Sequence, residues 1–86
     1  MMMRGKVKWF DSHKGYGFVH VEKIGEAIIH PEDFVDERGV PNWDEIKAKV
    51  VPGAVVEFMG VYRIRAVNIR VLTKEDMDRL LAKGSA

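Results

Sequence analysis

Two short runs, Lys6-Val7-Lys8-Trp9-Phe10 and Lys14-Gly15-Tyr16-Gly17-Phe18-Val19-His20, constrain the fold of this chain more than any other feature. Both read as β-strands, and four residues, Asp11-Ser12-His13-Lys14, suit a hairpin loop between them. In a strand, alternate side chains face opposite sides, so Tyr16, Phe18 and His20 share one face while Gly17, Val19 and Val21 share the other. The valines belong in a core. The aromatic row therefore faces water, and a small domain seldom exposes such a row without a use for it. Rings flanked by lysines suit a ligand that is flat in one part and anionic in another, which describes an unpaired nucleic-acid strand.

Composition adds little, but its distribution adds more. Eighty-six residues, 47% hydrophobic and 31% charged, make one globular domain with a thin core. The net charge is only +1. From Arg4 to Lys23, however, five Lys/Arg face two Asp/Glu; from Ile24 to Glu57 the balance is three against eight; beyond Phe58 it is six against three. The aromatic segment is thus basic and the acidic charge lies mid-chain, a segregation that can put a positive face on a nearly neutral protein. Equally, both signs can be scattered over a solvated surface. The absence of cysteine excludes disulfides, thiolate metal sites and a cysteine nucleophile. Neither a signal-peptide pattern nor a segment of transmembrane length is present, so a cytoplasmic location without membrane association is expected.

Periodicity places strands at 5–10, 15–22, 26–30, 54–59 and 64–72. Pro31 ends the third, because proline cannot donate to a ladder. A long polar stretch, 32–53, follows; within it Asn42 and Glu45 have the form of a capping box, predicting a short helix over 43–49. In the last strand the inward face is ambiguous between Ile64, Ala66, Asn68 and Arg65, Val67, Ile69. Thr73, with Asp76 three residues on, caps a helix running to about Lys83 and ended by Gly84. Met77, Leu80 and Leu81 share one side of that helix, and this chain's own barrel is the simplest cover for them. Five short strands and a late helix predict an all-β fold, a small closed barrel with a C-terminal helix. The division expected is a barrel domain over 4–72 and a helical extension over 73–84.

Gly5-Lys6-Val7-Lys8-Trp9-Phe10 and Lys14-Gly15-Tyr16-Gly17-Phe18-Val19 resemble the opening of a bacterial-type cold-shock domain, the second run resembling that family's first ribonucleoprotein motif. Glu26-Ala27-Ile28-Ile29-His30 resembles the second motif more weakly, and Ala66-Val67-Asn68-Ile69 the last strand. The likeness covers about half the chain and does not reach the C-terminal helix. It implies a five-stranded antiparallel oligonucleotide/oligosaccharide-binding (OB) fold barrel that binds single-stranded RNA or DNA. By position it implies binding roles for Lys8, Trp9, Phe10, Lys14, Tyr16 and Phe18, and for Ile28, His30 and Pro31. The family typically has phenylalanine where Ile28 and Pro31 stand. Base–aromatic stacking is worth about 1–3 kcal/mol per base, so two absent platforms weaken binding by roughly tenfold to a few thousandfold unless something replaces them.

Trp43 is a candidate replacement, although Ile46 and Val50 make an apolar stripe with it that favours a core anchor under the short helix. His20 follows the aromatic row and is either a contact or simply solvated, while His13 reads as solvated. Arg63, Arg65 and Arg70 either extend the positive face or form the outer row of their strand. Gly17 reads as a position where backbone or a ring approaches closely. Three histidines without short ligand spacing make no zinc site, and Asp11-Ser12-His13, being contiguous, makes no triad. No cofactor and no catalytic residue is expected. Two functions follow: a sequence-tolerant single-strand binder of the RNA/DNA-chaperone kind, or a barrel diverted to a protein partner or homodimer through its terminal helix.

Overall fold

The alternating segments do form strands, and in the computed structural model, which describes residues 2–62 and 64–84, they close on one another. The strands are β1 (Met3–Asp11), β2 (Tyr16–Val21), β3 (Gly25–Ile29), β4 (Val55–Tyr62) and β5 (Arg65–Val71). They close in the order β1-β2-β3-β5-β4. Four neighbouring pairs are antiparallel. Closure is by one short parallel pairing, Ile28 of β3 opposite Arg65 of β5. The expected five-stranded OB-type barrel is present, with its seam parallel rather than antiparallel. Closing the sheet removes free strand edges, which matters for a chain this small.

Inside the barrel lie Val19, Ile29, Val56, Phe58 and Ile69, all fully buried. The alternation of β2 is as expected: Gly17, Val19 and Val21 are buried, Tyr16 and Phe18 half-buried, His20 exposed. In β5 the ambiguity has a backbone cause. Ala66 and Ile69 both point inward although three positions apart, because Asn68 adopts a left-handed conformation (φ 56°) and reverses the alternation. Asparagine tolerates that conformation better than most residues.

The stretch 32–53 is less polar in its role than in its composition. Phe34 is fully buried and bridges to Ile69, with the Val35 N–H donating to the Ile69 carbonyl at 2.7 Å. A 3-10 turn (Pro31–Asp33) delivers Phe34 to that position. The short helix α1 (Trp43–Ile46) continues as a 3-10 turn over Lys47–Lys49, matching the expected 43–49. Its capping box does not form as expected: the Asn42 side chain makes no cap bond, and its amide donates to the Glu45 carboxylate at 3.0 Å instead.

The helix α2 (Lys74–Gly84) carries the box that the sequence pattern predicts. Thr73 Oγ1 accepts from the Asp76 N–H at 3.1 Å, and Asp76 Oδ2 accepts from the Thr73 N–H at 3.0 Å. Met77 and Leu80 are half-buried, Met77 lining a surface hollow with Gly5 and Val55, and Leu80 another with Leu72. Leu81 is 69% exposed, contrary to the expectation that the barrel covers it. At about 100° per residue, the half-buried residues Asp76, Met77 and Leu80 centre the contact line well to one side of Leu81. No helix among the described residues is long and apolar enough to cross a membrane.

Candidate nucleic-acid interface

A β-bulge builds the aromatic face. Val7 pairs with Val19 and Trp9 with Phe18, so β1 carries one residue, Lys8, more than β2 over that interval. Strict alternation from the buried Val7 would turn Trp9 inward. The extra residue lets Lys8 and Trp9 both point outward and turns Phe10 toward the core. Trp9 consequently meets Phe18 at 5.2 Å and Tyr16 at 5.7 Å between ring centroids, with Tyr16 and Phe18 6.0 Å apart. Their planes are inclined by 57–80°, the tilted and edge-on arrangements that ring quadrupoles favour. Trp9 remains 36% exposed.

Gly17 makes this possible. A methyl at its Cα would stand 2.8 Å from Phe10 Cα and closer still to the Trp9 carbonyl oxygen. The close backbone approach read from the sequence is there, and it is what seats β2 against the bulged strand.

Strand register then extends the face. Trp9 is opposite Phe18, Phe18 opposite Ile28, and Ile28 opposite Arg65, a continuous row across β1, β2, β3 and β5. At about 4.8 Å per strand the row is roughly 14 Å long. His30 stands 6.4 Å from the Tyr16 ring, and its Nδ1 is buried with no hydrogen-bond partner among the described residues. Pro31 follows, half-buried, as the first residue of the 3-10 turn. Lys14 holds its ammonium 6.0 Å from the Trp9 ring centroid, within cation–π range. Asp11 shapes its loop, Oδ1 accepting from the His13 N–H at 2.8 Å and the Lys14 N–H at 3.2 Å. Those two bonds, Lys14 first, hold the Asp11 carboxyl below its usual range.

Three candidate residues lie apart from the cluster: Phe10, Trp43 and His20. Phe10 is half-buried and its ring packs 4.9 Å from Trp43, which in turn lies 5.2 Å from Phe34. Trp43 is therefore packed against the core, the placement its apolar stripe favours, rather than standing in the Trp9 cluster. His20 is exposed in the next row, between Lys6 of β1 and Glu26 of β3. His13 is exposed in the loop.

Sequence reading overlooked the carboxylates that hold the cations. Lys8 is paired with Glu26 at 2.8 Å. Arg65 is paired with Asp33 at 2.7 Å through Nε and with Glu32 at 3.0 Å through a terminal nitrogen, the Asp33 bond raising its already high pKa. Arg70 is on another part of the wall, in a row with Glu57 and Arg4 across β5, β4 and β1. There the nearly buried Glu57 accepts from Arg70 at 3.1 Å and Arg4 at 3.5 Å, so Arg70 is not part of the aromatic face. Arg63 lies outside the described residues. Strand register, with the 3-10 turn after β3 for Glu32 and Asp33, brings these partners together, and no local sequence signal announces them. Among the described residues no group of three or more His, Asp or Glu is placed to hold a metal ion.

No family model matches the chain. It is similar to a cold shock-like protein, CspLB, of Listeria monocytogenes, 34% identical over 73 residues, which span 85% of this chain and 98% of that protein. It is similar to cold shock protein CspB of Geobacillus stearothermophilus, 37% identical over 54 residues, 60% of this chain and 82% of that one. A cold shock-like protein of Thermotoga maritima is 61% identical over 28 residues, 33% of this chain but less than half (42%) of that relative's length. Likeness spanning nearly all of the Listeria protein, joined to the closed five-stranded barrel, places the chain in the cold-shock protein family.

Proposed function

We propose that this protein binds unpaired RNA or DNA, stacking bases on Trp9, Phe18 and Tyr16 and meeting phosphates with lysines, and that it acts by holding strands open rather than by chemistry. The observation that carries this reading is the outward cluster of three rings on β1 and β2 with Lys14 over its edge. Stacking of this kind is sequence-tolerant, since every base has a π-face. Ile28 and Pro31 continue the surface as apolar contacts and His30 as an imidazole ring beside Tyr16, with His20 at its margin. Phe10 and Trp43 act from beneath, supporting the bulge. Residues 4–72 carry the binding, and 73–84 extend the barrel.

The cations shape how binding depends on salt. Lys8 and Arg65 are already paired with carboxylates, whereas no carboxylate among the described residues holds Lys14. Exposed ion pairs are worth about 0–1 kcal/mol, so a phosphate can displace Glu26 from Lys8 at little cost. Binding therefore falls with salt along a shallow slope of about 0.7 per phosphate neutralised.

The test is a titration of tryptophan emission with matched single-stranded and duplex RNA and DNA. Single strands are expected to quench Trp9 and duplexes to leave it unchanged. Failure of any single strand to bind at low salt overturns the proposal and directs attention to a protein partner.

A further inference from the structure

We infer that Arg65 is a stacking platform for a nucleobase, standing in for the aromatic side chains missing beyond Phe18, and is not a phosphate ligand. The inference rests on the single-strand reading above and specifies how the far end of that surface works.

Position comes first. Arg65 is the fourth member of the row Trp9, Phe18, Ile28, Arg65, each in register with the next. Its neighbour Ala66 is fully buried, so Arg65 points to the outer face with the rest of the row. Ile28 supplies apolar contact between Phe18 and Arg65 but no π-surface.

Charge comes second. The guanidinium is held along two of its edges, Nε by Asp33 at 2.7 Å and a terminal nitrogen by Glu32 at 3.0 Å. Two carboxylates against one cation leave the group locally negative, a poor start for attracting a phosphate. The same two bonds fix the orientation of a planar group. Hydrogen bonds made at the edges of a guanidinium lie in its plane and leave its faces uncommitted, and those faces stack on aromatic surfaces. Unstacked bases are commonly received by arginine planes in this way. A lysine, with no plane and a compact charge, cannot substitute.

The experiment compares Arg65→Lys, Arg65→Gln and Asp33→Ala with the parent protein, using fluorescence titration with a single-stranded oligonucleotide at several salt concentrations. Circular dichroism identifies a temperature at which each variant is folded. Arg65→Lys keeps the charge and loses the plane; Kd is expected to rise about 5- to 100-fold with an unchanged salt slope. Arg65→Gln keeps a planar amide that can still donate to Asp33, and is expected to bind more tightly than Arg65→Lys. Asp33→Ala frees the Nε edge and leaves the guanidinium held by Glu32 alone, so its plane is less fixed and binding is expected to weaken although a negative charge has been removed. A phosphate ligand gives the opposite order: Lys better than Gln, tighter binding in Asp33→Ala, and a smaller slope when the charge is lost. That opposite order, or equal affinities for Lys and Gln, overturns the inference. Trp9→Ala in the same assay separates the two claims. If it weakens binding while the Arg65 series behaves as a phosphate ligand, the single-strand reading stands and the platform does not.

Discussion

Replacing Gly17 by alanine tests whether the bulged strand is seated as described. The added methyl would meet Phe10 Cα at 2.8 Å, Phe10 Cδ2 at 2.9 Å and the Trp9 carbonyl oxygen closer still. Ordinary contacts to a Cβ are about 3.4–4 Å, so β1 has to move by several tenths of an ångström at the least. Two of these three obstacles are backbone, and the Phe10 ring is itself packed 4.9 Å from Trp43. Relief by a side-chain rotation is therefore unavailable. Overpacking costs about 1–3 kcal/mol and occasionally more, and this site belongs at the upper end. At about 4–8 °C per kcal/mol for a domain this size, roughly 3 kcal/mol lowers Tm by about 12–24 °C. Two glycines serve as controls. Gly60 has open space and no positive φ, so Gly60→Ala is expected to be near neutral. Gly15 has open space but φ +76°, so alanine there carries only the left-handed penalty of about 1 kcal/mol. Thermal melts followed by circular dichroism give the three values. Below its melting range, folded Gly17→Ala protein should also bind oligonucleotide more weakly, because Trp9 and Phe18 flank the displaced contact. A Gly17→Ala midpoint within a few degrees of Gly60→Ala would refute the reasoning, since the close approach would then not exist.

Substituting Trp9 or Phe18 by alanine should each raise Kd for a single-stranded oligonucleotide about 5- to 150-fold. The double variant should cost less than the product of the two, because the rings touch at 5.2 Å and share their support. Retained affinity in the double variant rules out the stacking surface. Glu26→Gln releases Lys8, and affinity should rise by up to about 5-fold at low salt, the gain fading at high salt; an unchanged Kd means that Lys8 meets no phosphate. The Asp36 carboxyl, which accepts from the Arg38 side chain and the Val40 N–H, is lowered from 3.8 to about 2. Its contribution to stability is therefore complete above its ordinary value and is lost as pH falls through about 2. Denaturation midpoints measured against pH should flatten across that interval in Asp36→Asn, and identical profiles for parent and variant count against the loop geometry.

Much of this protein is legible without its tertiary structure because local rules and burial agree. The β2 alternation, the Pro31 stop and the Thr73–Asp76 box each follow from one residue's chemistry and a short-range period. Where reading failed, the determinant was distant in sequence. Phe34 looked like part of a polar loop, yet it is fully buried because the 3-10 turn brings it onto Ile69 of β5. The exception is local: Asn42 and Glu45 have the right spacing for a box, but the Asn42 amide takes the Glu45 carboxylate instead. Leu81 fits the helical stripe, yet α2 meets the barrel along Met77 and Leu80.

The candidate surface divides in the same way. Residue types alone determined that rings and lysines occupy the first two strands, since alternation allows one face to be apolar and leaves the other to water. Only the tertiary structure decided which rings stand together. One extra residue in β1 moves Trp9 to the outside and Phe10 to the inside, and a bulge depends on how two strands pair, which neither strand specifies alone. Barrel closure likewise decided that Arg65 completes the row, while the pairing of β4 with β5 ties Arg70 to Glu57. The Arg65 assignment depends on register between strands far apart in the chain, and that register is set by the closed barrel as a whole.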